Sequence, residues 1–401
     1  MNKNKKILVI TSTFPRWQGD LEPPFVYELS KRLSKNYTVH LLAPHAQGAA
    51  LCEHFNNINV TRFRYFFTKY QTLAYNGGIL SRLKQNRWRY LLVPFFIIAE
   101  WFAIIRLLRR ENFDLIHAHW LVPQGFVALL ATVFFKKSPP ILCTSHGGDL
   151  FGLQGKLFKK LKQWVLKRSS AITVVSQAMR ETALSLGADA NKIEVISMGV
   201  DLKNQFIPTL AGRDGNNLLF VGRLVEKKGL DSLLAALPLI INQYPNVILT
   251  IAGSGPDELK LKKQVVDLNI NNSVKFLGAV ENEQLPALYQ SSEIVVFPSI
   301  IAADGDREGF GLVLVEALGC ESAVVASDLP AMQDILTDNK NAFIFEQKNS
   351  QQLAEKVNYL LSNPQLRASL GKQGRQDMLE RYDWEMITER YSTLMQHVMS
   401  K

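Results

Sequence analysis

Short continuous apolar runs alternate with longer amphipathic stretches along almost the whole chain. In the first half the runs Ile7 to Ser12, Thr38 to Leu42, Asn59 to Arg64, Leu115 to Ala118, Ile141 to Ser145, Ala171 to Val175 and Ile193 to Ile196 read as strands. Helical stretches such as Phe25 to Leu33 and Phe126 to Phe135 separate them. Strands apolar on both faces, with helices between, predict a mostly parallel, doubly wound α/β sheet. From Asp201 to Asn217 the pattern lapses into polar, turn-rich sequence with Pro208, Gly212 and Gly215, which predicts a linker. A second series follows at Leu218 to Val221, Val247 to Ala252, Val274 to Leu277, Ile294 to Phe297, Ala323 to Ala326 and Ala342 to Phe345. The last segment, Trp384 to Met399, reads as an amphipathic helix. The pattern thus predicts two Rossmann-like domains, 1–205 and 206–383, and a final helix, 384–401, packing back on the first. Open sheets bind ligands beyond the carboxyl ends of their strands, so the cleft between the domains is the expected site.

Chemistry is densest in Asp306-Arg-Glu-Gly-Phe-Gly-Leu-Val-Leu-Val-Glu-Ala-Leu-Gly-Cys320. Gly309 and Gly311 leave the backbone bare where a helix opens at about Leu312, so unpaired amides and the positive end of the helix dipole face whatever sits there. That is a seat for phosphate. Glu308 precedes the seat, and Glu316 lies one turn inside the helix, about 6 Å from Leu312 along the axis. Carboxylates accept hydrogen bonds from hydroxyls, so a ligand with hydroxyls on both sides of a diphosphate suits this layout. A nucleotide sugar has it. The plainer alternative is a first-turn acid that only complements the dipole.

Other strand ends carry partners for such a ligand. Leu218 to Val221 runs into Gly222-Arg223-Leu-Val-Glu-Lys227-Lys228-Gly229, where Arg223 and Lys228 are the expected diphosphate cations and Lys227 is expected in solvent. After Ile141 to Ser145 comes His146-Gly-Gly-Asp149, where an imidazole beside two glycines can meet a sugar hydroxyl. The loop Ser12 to Asp20 carries Gly19-Asp20, a phosphate-facing or acceptor-facing turn. His117 and His119 end another strand and could line the acceptor side, without partners at metal-ligand spacing. Asp304-Gly-Asp306 has the Asp-x-Asp form of a divalent-ion site but lies in the loop before the phosphate seat, so no metal is expected. Gly253-Ser-Gly255-Pro256 resembles the start of a dinucleotide fingerprint, which Pro256 and the missing third glycine spoil.

The 401 residues fit two domains with sizeable cores, being 47% hydrophobic and 20% charged. Three cysteines without paired spacing exclude a disulfide framework and fit a reducing cytosol. The start, Met-Asn-Lys-Asn-Lys-Lys, lacks the features of a signal peptide, so a cytoplasmic protein is expected. The net charge of +10 is uneven: up to Val200 there are 27 Lys and Arg against 11 Asp and Glu, +16, and the remainder gives 19 against 25, or −6. No zinc-finger spacing, RNP-type motif or helix-turn-helix signal points to nucleic acid. Tyr90 to Ile105 is apolar and aromatic, flanked by Arg82, Lys84, Arg87 and Arg89 before it and Arg106, Arg109 and Arg110 after it. Interrupted by Pro94 and Glu100, it falls short of the roughly 20 apolar residues that span a bilayer, and reads as peripheral contact with an anionic membrane surface. A core helix with solvated ends is the alternative.

Taken together, Val221-Gly-Arg-Leu-Val-Glu-Lys-Lys-Gly229, Ala252-Gly-Ser-Gly-Pro256, Val274-Lys-Phe-Leu-Gly278, Glu308-Gly-Phe-Gly-Leu with Glu316, His146-Gly-Gly-Asp149 and Val195-Ile-Ser-Met-Gly-Val-Asp201 resemble the motifs of the family 4 retaining glycosyltransferases of the GT-B fold. The resemblance covers nearly the whole chain. It implies an N-terminal acceptor-binding domain and a C-terminal nucleotide-sugar domain. By the same resemblance Glu316 holds the ribose, Glu308 the donor-sugar hydroxyls, and His146 sits against that sugar. The amides of Phe310, Gly311 and Leu312, with Gly309, Arg223 and Lys228, hold the diphosphate. The base lies near Leu277 to Val280. Many members open with a Gly-Gly pair after the first strand, where this chain has Gln18-Gly19-Asp20. The donor expected is a UDP-sugar or GDP-sugar, used without a metal, and the acceptor a lipid-linked saccharide of surface polysaccharide assembly at the inner face of the membrane. A soluble acceptor, or a nucleotide-sugar epimerase of similar fold, is the alternative. An NAD-dependent oxidoreductase would need an intact glycine fingerprint and an acid about 20 positions on, which the sequence lacks.

Overall fold

The apolar runs fold as the strands of two separate sheets. The computed structural model describes residues 5–20, 22–209, 213 and 216–401. The first four residues, and Gly212 and Gly215 of the expected linker, lie outside the described residues.

The first sheet holds β1 (Lys6–Ile10), β2 (Thr38–Pro44), β3 (Cys52–Phe55), β4 (Ile58–Phe63), β5 (Leu115–His119), β6 (Ile141–Ser145), β7 (Ala171–Val174) and β8 (Ile193–Val195), in the order β3-β4-β2-β1-β5-β6-β7-β8. Its strands run parallel except for β3, which pairs antiparallel with β4. The central strands β5 and β6 are buried at every position, as strands covered by helices on both faces must be. β3 has no such signature. It is a partly exposed edge strand, returned by the two-residue turn Asn56-Asn57, whose φ angles of 45° and 66° are those a tight hairpin needs.

The second sheet, β9 (Asn217–Val221), β10 (Ile248–Ala252), β11 (Val274–Gly278), β12 (Ile294–Phe297), β13 (Ala323–Ser327) and β14 (Phe343–Phe345), is wholly parallel in the order β11-β10-β9-β12-β13-β14. Phe220, Leu249, Ile251, Val296 and Val325 pack in one core with Leu233 and Leu237 of helix Leu230–Gln243 and Val357 and Leu360 of helix Ser350–Ser362. In each sheet the strand order reverses once, between β1 and β5 and between β9 and β12. At such a switch point open α/β sheets bind ligands beyond the carboxyl ends of the strands.

The chain divides into one unit of residues up to Met198 together with Ile387–Lys401, and a second of Gly199–Met386. The first boundary therefore falls at 198/199 rather than 205/206, because the start of the expected linker is packed structure. Leu202 and Phe206 are buried, and the Arg375 guanidinium donates to their carbonyls at 3.1 and 3.2 Å. The outgoing and returning segments run side by side, Val200 N donating to Tyr382 O at 3.0 Å and Trp384 N to Val200 O at 3.2 Å. Helix Trp384–Ser400 then carries the chain into the first unit, where Tyr391 is wholly buried and its hydroxyl donates to Ile196 O at 3.3 Å.

Candidate functional site

In the second unit the loops after β9 and β12 leave the sheet at its switch point and are fastened to each other. Gly229, at φ 63°, lies so close to Pro298 that a Cβ there would stand 1.9 Å from its carbonyl oxygen. Ile300 N donates to Lys227 O at 2.9 Å and Ala303 N to the Glu226 carboxylate at 3.0 Å. Gly253 backs the first loop with the same closeness, a Cβ falling 1.9 Å from Gly222 O, while Leu224 N donates to Ser254 O at 3.0 Å. The Gly-Ser-Gly-Pro segment is thus a buttress for Gly222–Gly229.

On this frame the charges converge. Lys228 Nζ is 3.2 Å from Glu308 Oε1, and Lys227 Nζ is 3.3 Å from Asp306 and 3.9 Å from Glu308. Lys227, expected in solvent, is therefore part of the cluster. Burial alone would raise the Glu308 carboxyl; the charges of Lys228, Lys227 and Arg223 outweigh it and hold the group below its ordinary value. Asp306 is taken up by Lys227, and Asp304 Oδ1 accepts from Asp306 N at 3.0 Å. Among the described residues no group of three or more His, Cys, Asp or Glu is placed to hold a metal ion.

Helix Leu312–Gly319 opens at Gly311, φ 102°, with no side-chain cap on its first turn. Gly309, Phe310 and Gly311 are buried and Leu312 is half-buried, with the Phe310 ring 5.2 Å from that of Tyr382. One turn in, Glu316 is 9% exposed and its Oε2 accepts from the Tyr289 hydroxyl at 2.9 Å. Burial pushes Glu316 up to about 7, against the opposing pull of Tyr289 and Lys228. Lys228 thus acts on both carboxylates. Tyr289, on helix Leu285–Ser291, is wholly buried and escaped the sequence reading as an apolar position. A buried tyrosine needs a partner for its hydroxyl, and here that partner is Glu316, 27 residues on.

The first unit brings three histidines together at the ends of β5 and β6. His119 Nδ1 lies 2.9 Å from His146 Nε2 with the rings stacked at 5.2 Å, and the His117 ring is 4.2 Å from that of His119. His117 and His119 are wholly buried, so neither lines a surface; His146 is half-buried. His117 Nε2 pairs instead with Thr144 Oγ1 at 2.7 Å. Burial pushes His117 and His146 down to about 3 and His119 well down, leaving all three rings neutral near pH 7. The rings of Phe25 and Trp120 flank His146 at 4.9 Å each. Asp149 pins the surrounding loops by accepting from Leu121 N at 2.6 Å and Ser145 Oγ at 2.8 Å. Gly19 turns with φ 79° and a Cβ there would meet nothing within 4 Å among the described residues, while Asp20 is held by Arg16 through three bonds, from the backbone N at 2.8 Å and from the guanidinium at 2.8 and 2.6 Å. The structure therefore gathers Lys228, Glu308, Gly309, Phe310, Gly311, Leu312 and Glu316, with Arg223 acting on Glu308, in the second unit, while His146 and Gly19 belong to the first, where no contact joins them among the described residues.

Residues 24–204 match the family described as Glycosyltransferase Family 4, and residues 203–377 match Glycosyl transferases group 1. The phosphatidyl-myo-inositol mannosyltransferase of Mycobacterium leprae is 32% identical over 79% of this chain and 79% of its own. The N-acetyl-alpha-D-glucosaminyl L-malate synthase of Bacillus anthracis is 21% identical over 78% and 82%. Among solved structures, the sucrose-phosphate synthase of Thermosynechococcus elongatus superposes with a TM-score of 0.80 at 20% identity, covering 99% of this chain and 100% of its own. The HepE protein of Anabaena, solved with UDP and glucose, gives 0.74 at 20% identity over 98% and 100%.

Proposed function

The chain belongs to the family 4 glycosyltransferases, with the GT-B fold, and on that premise we propose that it moves a hexose from a nucleoside-diphosphate sugar to a hydroxyl of a lipid-linked saccharide, with retention at the anomeric carbon. The observation that carries the donor half is the pair of carboxylates, Glu308 and Glu316, bracketing an uncapped helix start with Lys228 between them in charge. Glu316 accepts from the ribose hydroxyls and Glu308 from those of the sugar, while Lys228, Arg223 and the amides of Phe310, Gly311 and Leu312 hold the diphosphate. His146, a neutral imidazole, hydrogen-bonds a sugar hydroxyl. As the glycosidic bond lengthens, charge accumulates on the departing diphosphate, and preorganised cations and amides stabilise it more in the transition state than in the ground state. The acceptor hydroxyl attacks from the face the nucleotide leaves. These cations and the helix dipole do the work that a metal ion does elsewhere.

A lipid-linked acceptor in surface polysaccharide assembly, reached at the cytoplasmic face of the membrane, is supported by the basic first half and by relatives named phosphatidyl-myo-inositol mannosyltransferase. A soluble acceptor is favoured by the relative named as an L-malate synthase. Turnover without any acceptor would point to the epimerase reading instead. Calorimetric titration with UDP, GDP and ADP in EDTA tests the donor site: selective binding of one nucleotide is expected. Binding that appears only once a divalent ion is restored would overturn the metal-independent account.

A further inference from the structure

The apolar segment noted in the sequence forms one helical run, Arg87–Arg110, beginning as a tight turn and continuing as helix Leu92–Arg110. By length and composition this run is long and apolar enough to cross a membrane, where Tyr90 to Ile105 alone falls short. Its two faces differ. Phe96, Glu100, Ile104 and Leu107 are buried on the unit, whereas Leu91, Phe95, Ile98 and Phe102 form a stripe 72, 51, 52 and 59% exposed on the opposite side. Ring contacts extend this stripe to other segments: Phe66 lies 5.2 Å from both Phe95 and Phe67, and Trp101 lies 5.5 Å from Phe134. Phe67 and Phe134 are themselves 74 and 65% exposed. The stripe continues into exposed Arg106 and Arg109, and every charged residue from Arg64 to Arg110 is Lys or Arg except Glu100, which is wholly buried.

We propose that this face docks on an anionic phospholipid bilayer, with helix Leu92–Arg110 lying in the plane of the interface. Phe95, Ile98 and Phe102 enter the boundary between headgroups and acyl chains, and the surrounding Lys and Arg side chains lie over lipid phosphates. Two observations select this occupant and this posture. A second copy of the same face would bring like charges together around the apolar stripe, whereas an anionic lipid surface complements them. The helix is also anchored on its inner side, where Gln124 Nε2 donates to Glu100 Oε1 at 3.2 Å. Glu100 Oε2 and Gln124 Oε1 have no hydrogen-bond partner among the described residues, so a proton on Glu100 completes the pair, and burial pushes this carboxyl up to about 8. A crossing helix would tear that pair apart and leave the Gln124 amide unpaired in the core. The inference goes beyond the transfer reaction and holds for a lipid-linked or a soluble acceptor.

Co-sedimentation of the full chain with vesicles tests it. Binding is expected with phosphatidylcholine vesicles containing phosphatidylglycerol, and little with phosphatidylcholine alone. Phe95→Ser with Phe102→Ser should weaken partitioning roughly tenfold or more, and Arg106→Glu with Arg109→Glu should do the same through charge alone, also roughly tenfold. Both variants should keep the protease resistance of the first unit in limited proteolysis, which shows that it folds. Bound protein should be released by alkaline carbonate. Wild-type protein that ignores the anionic vesicles, or variants that bind as well as wild type, would overturn the proposal. So would a dimer in sedimentation equilibrium that the Phe variant dissociates, since a second copy would then cover this face; retention after carbonate would overturn the in-plane posture.

Discussion

A carboxyl held at about 7, as Glu316 is, carries its charge in only about half of the molecules near neutral pH. If the ionised form is the better acceptor for ribose hydroxyls, nucleotide affinity rises between pH 6 and pH 8. Calorimetry across that range should show the rise in wild type and in His146→Asn, since His146 is already neutral there, and a flat profile in Glu316→Gln. Stability runs the other way. The folded-state value lies above the ordinary glutamate value, so Glu316 favours the folded state fully below about 4.5 and loses that contribution as pH rises through about 7. Urea unfolding at pH 5 and pH 8 should show Glu316→Gln gaining on wild type at the higher pH, by up to roughly 3 kcal/mol. Arg223→Ala should lower turnover more than it weakens nucleotide binding, because its charge matters most when the diphosphate departs. Glu308, Gly311, Glu316 and Lys228 were legible in the sequence because each lies within a few residues of a strand end or helix start. Tyr289 was not, being 27 residues away from Glu316 and joined to it only by the fold. His117 and His119 misled for the matching reason: a strand-end position does not reveal what packs over it.

Between elements, the working contacts are backbone against backbone. Gly229→Ala adds a Cβ at 1.9 Å from Pro298 O in a left-handed conformation, so the loops after β9 and β12 must part. A loss of roughly 2–4 kcal/mol is expected, together with weakened nucleotide binding. Gly19→Ala, equally left-handed but with nothing within 4 Å among the described residues, should cost only about 1 kcal/mol. Thermal melts of the two variants make the comparison directly. The parallel strands were readable because burial on both faces leaves an unbroken apolar run; β3 was not, because a short edge strand has one solvated side and its hairpin is marked only by Asn56-Asn57. The buttressing by Gly253 was equally hidden, since a fingerprint-like Gly-x-Gly looks the same whether it faces a ligand or a neighbouring loop.

For the molecule as a whole, the charge asymmetry was visible in the sequence, but the double crossing between units was placed several residues off, because polar turn composition does not show that Leu202 and Phe206 are packed. Deleting 387–401 removes Ile387, Tyr391, Met395 and Val398 from the core of the first unit. The truncated protein should lose protease resistance in that unit while retaining nucleotide binding, as limited proteolysis and calorimetry would show. The same topology sets an order for biosynthesis. The unit made first on the ribosome cannot close its core until the last helix has emerged, about 200 residues later, a wait of roughly 10–40 s at ordinary elongation rates. Throughout that interval the surface that Tyr391 will cover stays open on the nascent chain, and the later-made unit, complete in sequence by Met386, is free to fold ahead of it.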